Sequence, residues 1–203
     1  MYNEYWDWRL GIRASGGHRL ASEGIEDEDF HDYSASSYLD LRRALDRLGG
    51  IAPDDVFLDL GSGKGGVALM AATHPFRRVV GVEISPRLHS IALSNLWRAR
   101  SRLRCQDVEF HALDVARYRL PSDISVVFLY NPFGGSTLER VLGEIQRSLA
   151  EAPRRLRIIC ATPDRLIRAL AGQDWVAPFA EFTGLRRHVL FAHDRAPSRV
   201  GPS

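Results

Sequence analysis

Three carboxylates follow three apolar runs in this 203-residue chain, and their spacing is the first sign of chemistry. Val56–Leu60 (VFLDL) carries Asp59 and leads into Gly61-Ser62-Gly63-Lys64-Gly65-Gly66. Arg78–Glu83 (RVVGVE) closes on Glu83, 24 residues after Asp59. Residues 107–112 are followed by Asp114, within His111-Ala112-Leu113-Asp114-Val115. A fourth run, residues 124–129, enters Tyr130-Asn131-Pro132-Phe133-Gly134-Gly135.

The glycine-rich turn separates three binding chemistries. A P-loop needs G-x-x-x-x-G-K-[ST], but Leu58 stands at the first glycine position and Gly65 at the hydroxyl position. Gly61, Gly63 and Gly66 satisfy the dinucleotide pattern G-x-G-x-x-G literally. Asp59 argues against a pyrophosphate there, because its charge would repel one at the mouth of the loop. The same charge suits a phosphate-free ligand bearing an ammonium or sulfonium group; it equally suits an Asp that caps the next turn. Glu83 is placed to accept hydrogen bonds from both hydroxyls of a ribose, which fits either kind of nucleotide cofactor. Asp114 suits an adenine amino group or a plain turn. The Asn131 amide oxygen and the carbonyls beside Pro132 can accept hydrogen bonds from an amine, with Phe133 as a wall. A tight strand-to-helix turn would use the same residues.

The elements that must position these residues alternate. From Ser36 a helical pattern places Leu41, Ala44, Leu45 and Leu48 on one face, ending at Gly49-Gly50. Apolar helices are expected after Gly66, from Ser85-Pro86 (N-cap and first position), over residues 138–150, and from Pro163 to about Leu170. Leu156–Ala161 reads as a fifth strand. Residues 175–182 and 188–193, parted by a turn around Thr183-Gly184, can only be an antiparallel hairpin. The expected fold is α/β: a Rossmann-like, doubly wound, mostly parallel seven-stranded sheet, a C-terminal antiparallel hairpin, and helices on both faces. Residues 1–35 read as an irregular arm or lid, 36–195 as one domain, and 196–203 as a disordered tail.

Composition bounds the rest. Apolar residues at 45% and charged residues at 26% exclude a disordered or fibrous chain. Cys105 and Cys160 have no paired metal-ligand spacing, so no metal is expected and a reduced compartment is the default. Neither a secretory signal nor a membrane span is visible, which points to the cytoplasm. The basic residues comprise 26 arginines and the single lysine Lys64. Arg98, Arg100, Arg102 and Arg104, with Arg154, Arg155 and Arg157, are compatible with nucleic acid, which is not favoured. Cations at a helix C-terminus also complement its dipole, and the chain is arginine-rich throughout.

Together, Val-Phe-Leu-Asp-Leu-Gly-Ser-Gly-Lys-Gly, Val-Val-Gly-Val-Glu, Asp114 and Leu-Tyr-Asn-Pro-Phe resemble the class I S-adenosylmethionine-dependent methyltransferases over residues 54–194. The closing hairpin is a feature of that family too. Within it, the chain is similar to the non-SET histone lysine methyltransferases and their small prokaryotic relatives. The Asn-Pro-Phe also resembles the [DNS]-P-P-[YF] signature of amino-group methyltransferases, with one proline missing. The resemblance implies S-adenosylmethionine as cofactor and S-adenosylhomocysteine as product. It implies that Gly61, Ser62 and Gly63 face the methionine moiety, Asp59 its ammonium, Glu83 the ribose and Asp114 the adenine. Ile84 and Val115 would flank the ring, and Tyr33 would close over the cofactor. Asn131, Pro132 and Phe133 would carry the transfer, to an amine nitrogen of a protein or small molecule. Oxygen or sulfur methylation of a small molecule, an NAD(P)-dependent oxidoreductase and a non-catalytic binding module remain alternatives.

Overall fold

The computed structural model describes residues 2–25, 32–130, 133, 135–161 and 164–194, the side chains of residues 164 and 165 excepted. Seven strands form the main sheet: β1 (Val56–Leu60), β2 (Arg78–Glu83), β3 (Val108–Ala112), β4 (Val126–Leu129), β5 (Leu156–Ala161), β6 (Ala177–Thr183) and β7 (Arg187–His193). Their order is β3-β2-β1-β4-β5-β7-β6. The first five are parallel; β7 runs antiparallel to β5 and β6 antiparallel to β7. The chain reverses direction of travel between β1 and β4, so a crevice opens beyond their carboxyl ends.

Alternation along the strands distributes two cores. Phe57, Val79, Val126, Phe128 and Ile159 face one side, against α2 (Tyr38–Asp46) and α3 (Gly66–Ala71). Val56, Leu58, Leu60, Val80 and Ile158 face the other, against α5 (Gly135–Glu151) and α6 (Asp164–Ala171). Each buried aliphatic side chain contributes about 1.5–3 kcal/mol. The same alternation puts Asp59 and Glu83 on the first side, where the apolar rows give way to the crevice. The start expected at Ser85-Pro86 is in place, and the helix read from Ser36 is capped one residue later. Ser37 Oγ accepts from Asp40 N at the head of α2, and Ser85 Oγ accepts from Leu88 N at the head of α4 (Pro86–Ala99), with Pro86 in its first turn.

The irregular reading of residues 1–35 is corrected in part. Tyr2–Leu10 is a helix, α1, and Leu10, Ile12 and Ala14 are buried in the first core. Tyr2, Trp6 and Leu10 recur every fourth residue toward that core, but Asp7 is buried among them and hides the periodicity. Its carboxylate accepts from Ala14 N, Ser15 N, Ser15 Oγ and Tyr38 Oη, which satisfies the buried charge. Residues 17–18 and 33–34 pair as a short antiparallel ladder. The expected tail, 196–203, lies outside the described residues.

Candidate active site

The glycine turn after β1 is held by its neighbour strand: Gly61 N and Ser62 N both donate to Val82 O at 2.9 Å. Gly61 (φ +81°) and Gly63 (φ +54°) take left-handed conformations that a side chain would strain. A Cβ on Gly63 would stand 2.1 Å from the Tyr33 ring, so the turn and the arm touch backbone to ring. Lys64 Nζ donates to Ser15 O at 3.0 Å and sits 5.1 Å over the same ring. Tyr33 Oη donates to Ala14 O at 2.5 Å. Buried Asn95 completes the clasp, donating to Lys64 O and accepting from Arg13 N.

Asp59, Gly61, Ser62 and Glu83 line one crevice with Tyr33, Tyr38, Tyr130 and Arg186. Asp59 is 3% exposed, and its Oδ2 has no hydrogen-bond partner; Ser62 Oγ is likewise buried and unpartnered. Burial first, and the neighbouring Glu83 carboxylate second, push Asp59 up to about 8, against a backbone bond from Ala68. Burial also raises Glu83, opposed by backbone N–H groups of Ser85, Gly63 and Ile84. Glu83 Oε2 accepts from Gly63 N at 2.7 Å and Oε1 from Ser85 N at 2.9 Å, with Ile84 N a third donor nearby, so the carboxylate's four lone pairs are not all used. Two orphaned polar atoms and two acids in one crevice call for a ligand with a cation and hydroxyl donors. The aminoacyl end and ribose of S-adenosylmethionine supply those groups, so the residues fit that cofactor.

The other expected site residues are distributed differently. Asp114 Oδ1 accepts from Ala116 N at 2.8 Å and caps a 3-10 turn, Val115–Arg117, while Arg117 stands 3.9 Å from Oδ2. Val115 is buried in the second core, and Ile84 is half-buried. Phe133 is 3% exposed and also packs in the second core, where its wholly apolar ring joins Leu138 and Leu142 rather than lining the crevice. Asn131 and Pro132 lie outside the described residues.

Residues that no local motif announces complete the mouth. Arg186, at the turn between β6 and β7, donates to Tyr130 Oη at 3.3 Å. Buried Asp40 of α2 accepts from Leu185 N at 2.8 Å, and a Cβ on Gly184 would meet its carboxylate at 2.0 Å. These partners are 145 positions apart, so only the folded sheet brings them together.

An alternating sheet with an acid-lined crevice at its switch point defines a Rossmann-like α/β fold of the kind that binds ligands at that place. Residues 57–152, just under half of the chain, match the profile of a methyltransferase domain, and the sheet and its closing hairpin have the fold of solved methyltransferases. Among solved structures, an RNA methyltransferase from Salinibacter ruber in complex with S-adenosyl-L-homocysteine is 24% identical, with 81% of this chain and 97% of that one covered and a TM-score of 0.59. A candidate RNA methyltransferase from Pyrococcus horikoshii covers 95% of this chain and 94% of its own at 15% identity and a TM-score of 0.61. Magnesium protoporphyrin IX methyltransferase from Synechocystis, with bound S-adenosylmethionine, is 19% identical over 77% and 79% of the two chains at a TM-score of 0.56. At such identities the likeness is one of fold. No curated protein sequence matches the chain. No helix among the described residues is long and apolar enough to cross a membrane.

Proposed function

We propose that the chain methylates an unprotonated amine nitrogen, with the donor held by Asp59, Ser62 and Glu83. The observation that carries the acceptor reading is chemical: among the described residues no histidine, lysine or cysteine lines the crevice, and its carboxylates are Asp59 and Glu83, given to the donor, and Asp32, which accepts from Leu20 N. A hydroxyl or thiol acceptor needs a base to expose its nucleophilic charge, whereas an unprotonated nitrogen presents a lone pair already. Acceptors of the protein and small-molecule classes fit this requirement.

Bound S-adenosylmethionine supplies an electrophilic methyl on a sulfonium. The chain's residues bind, align and dry it. Asp59 Oδ2 would take the ammonium, Ser62 Oγ a polar atom of the same aminoacyl end, and Glu83 the ribose hydroxyls through its free lone pairs. Asp114, whose Oδ2 is not used in capping, would take the adenine amino group, beside Ile84 and Val115. Asn131 and the carbonyls around Pro132 would accept the acceptor's N–H bonds and aim its lone pair at the methyl carbon. Phe133 would support that segment from the core. Alignment of this kind supplies up to ~7–11 kcal/mol in favourable intramolecular cases.

The test is transfer of a radiolabelled methyl group from S-adenosylmethionine to a cell extract separated into protein, RNA and small molecules. Label recovered as an N-methylamine after hydrolysis supports the reading; label lost as methanol in mild base (an ester), or recovered as a thioether or ether, contradicts it. With the acceptor in hand, Asn131→Ala lowers turnover ~10–100-fold, the loss of one or two hydrogen bonds of ~1–1.5 kcal/mol each. A variant turning over at the wild-type rate removes Asn131 from the chemistry.

A further inference from the structure

The arm and α4 bring together two stretches of sequence that contain no acid. Residues 8–22 hold three arginines and residues 84–106 hold five, with neither Asp nor Glu in either stretch. The remaining chain holds 19 basic and 25 acidic side chains. A net charge of +2 therefore divides into a basic face and an acidic remainder.

The two stretches run side by side. Arg102 Nη1 donates to Leu10 O at 3.2 Å at the far end, and Asn95 Oδ1 accepts from Arg13 N at 2.9 Å in the middle. At the crevice end, Glu23 accepts from Ser85 Oγ at 2.8 Å. The face thus follows the length of α4, ~21 Å for 14 residues, and opens at the crevice rim. Arg13, Arg98 and Arg100 are exposed along it. The two stretches also carry exposed indoles, Trp97 on α4 at 80% and Trp8 on α1 at 76%. The acids at its borders are Glu4 and buried Asp7 of α1, Glu23 and buried Glu83 at the crevice end, and Asp107 beyond the second stretch.

We propose that this face binds single-stranded nucleic acid, with arginines on successive phosphates and the two indoles stacking on bases. Charge complementarity selects a polyanion. Each indole has one exposed apolar neighbour, Tyr5 at 6.2 Å from Trp8 and Leu93 one turn before Trp97, and two such small clusters at acid-free, arginine-bearing stretches suit bases better than an acyl-chain surface. The inference concerns binding, and holds whichever acceptor the methyl group reaches.

Anisotropy of a fluorescein-labelled single-stranded RNA dodecamer, titrated with the whole chain between ~50 and ~200 mM KCl, tests it. Trp97→Ala, at an exposed position, weakens binding about tenfold. Arg98→Ala with Arg100→Ala makes the plot of log affinity against log salt shallower by ~1.4. Arg140→Ala with Arg168→Ala removes the same charge from helices on the opposite side of the sheet and leaves both readings unchanged. Absence of binding at the lowest salt, an equal loss in the opposite-side pair, or retention by anionic phosphatidylserine vesicles but not by RNA overturns the proposal. So does a Trp97→Ala chain that loses self-association while its RNA affinity is unchanged.

Discussion

Asp59 owes its chemistry to being left unpaired. Its Oδ2 is buried without a partner, and burial with Glu83 nearby holds the carboxyl up to about 8. Because the folded value lies above the unfolded one, the stability it contributes is full below about pH 4 and lost as pH rises through about 8. Ligand-free Asp59→Asn is therefore expected to melt with less dependence on pH between 6 and 8.5 than the native chain; identical pH profiles would contradict this. Glu83 plays a different part, because it braces Gly63 and Ser85 as well as facing the crevice. Adenosine, which lacks the amino-acid end, separates the two by calorimetry. Glu83→Gln weakens adenosine binding about tenfold, one hydrogen bond to a charged group, and Asp59→Asn leaves it unchanged. Both acids were legible in the sequence because each ends an apolar run; that Asp59 lacks a partner was not, since it depends on what β2 and α3 place around it.

At the scale of elements, the floor of the crevice is local in sequence and its mouth is assembled from afar. Strand β1, its glycine turn and α3 are consecutive, so a short motif specifies them. The mouth is built by α2, the β6–β7 turn and the arm, joined through Asp40 to Leu185 N and through Asp7 to Tyr38. No period or spacing announces such pairs, and Asp7 broke the apolar pattern that would have revealed α1. The arm also restricts the crevice: with Tyr33 against Gly63, its volume is about 140 Å³, below the ~300 Å³ of small ligand pockets. A donor entering here is expected to displace Tyr33. Stopped-flow binding of S-adenosylhomocysteine is expected to show a concentration-independent phase in the native chain, removed by Tyr33→Ala; single-phase binding by the native chain would contradict the gate. Asp40→Ala frees the β6–β7 turn, and is expected to raise the KM for the acceptor several-fold while cofactor affinity is kept. A loss of cofactor affinity of the same size would place Asp40 with the donor instead.

For the whole molecule, the sheet is tied at the end opposite the crevice. Arg157 of β5 meets Asp55 at 2.6 Å, both buried, and also donates to Leu48 O and Gly50 O after α2. Ser125 Oγ donates to Asp55 from the start of β4. Removing one partner of a buried pair leaves an uncompensated charge, so Asp55→Ala is expected to cost about 3–5 kcal/mol in urea unfolding. Burial raises Asp55, but the bonds from Arg157 and Ser125 outweigh it and lower its pKa, so this contribution is present at neutral pH and lost in acid. The five parallel strands and the closing hairpin were readable as alternation followed by two strands too close for a crossover. The tie was not, because Asp55 and Arg157 look like ordinary surface charges until the sheet stacks their strands. The rigid sheet this produces holds the acids at fixed separation, and their joint action on a cationic donor is open to direct measurement. Calorimetry of S-adenosylhomocysteine at pH 6.5, in two buffers of different ionisation enthalpy, is expected to show one site and release of nearly one proton as Asp59 ionises against the ligand's ammonium group. Asp59→Asn is expected to bind ~10–150-fold more weakly with no proton release, the loss of a hydrogen bond to a charged group. Native affinity and unchanged proton release in that variant would contradict the assignment of the donor to this carboxylate.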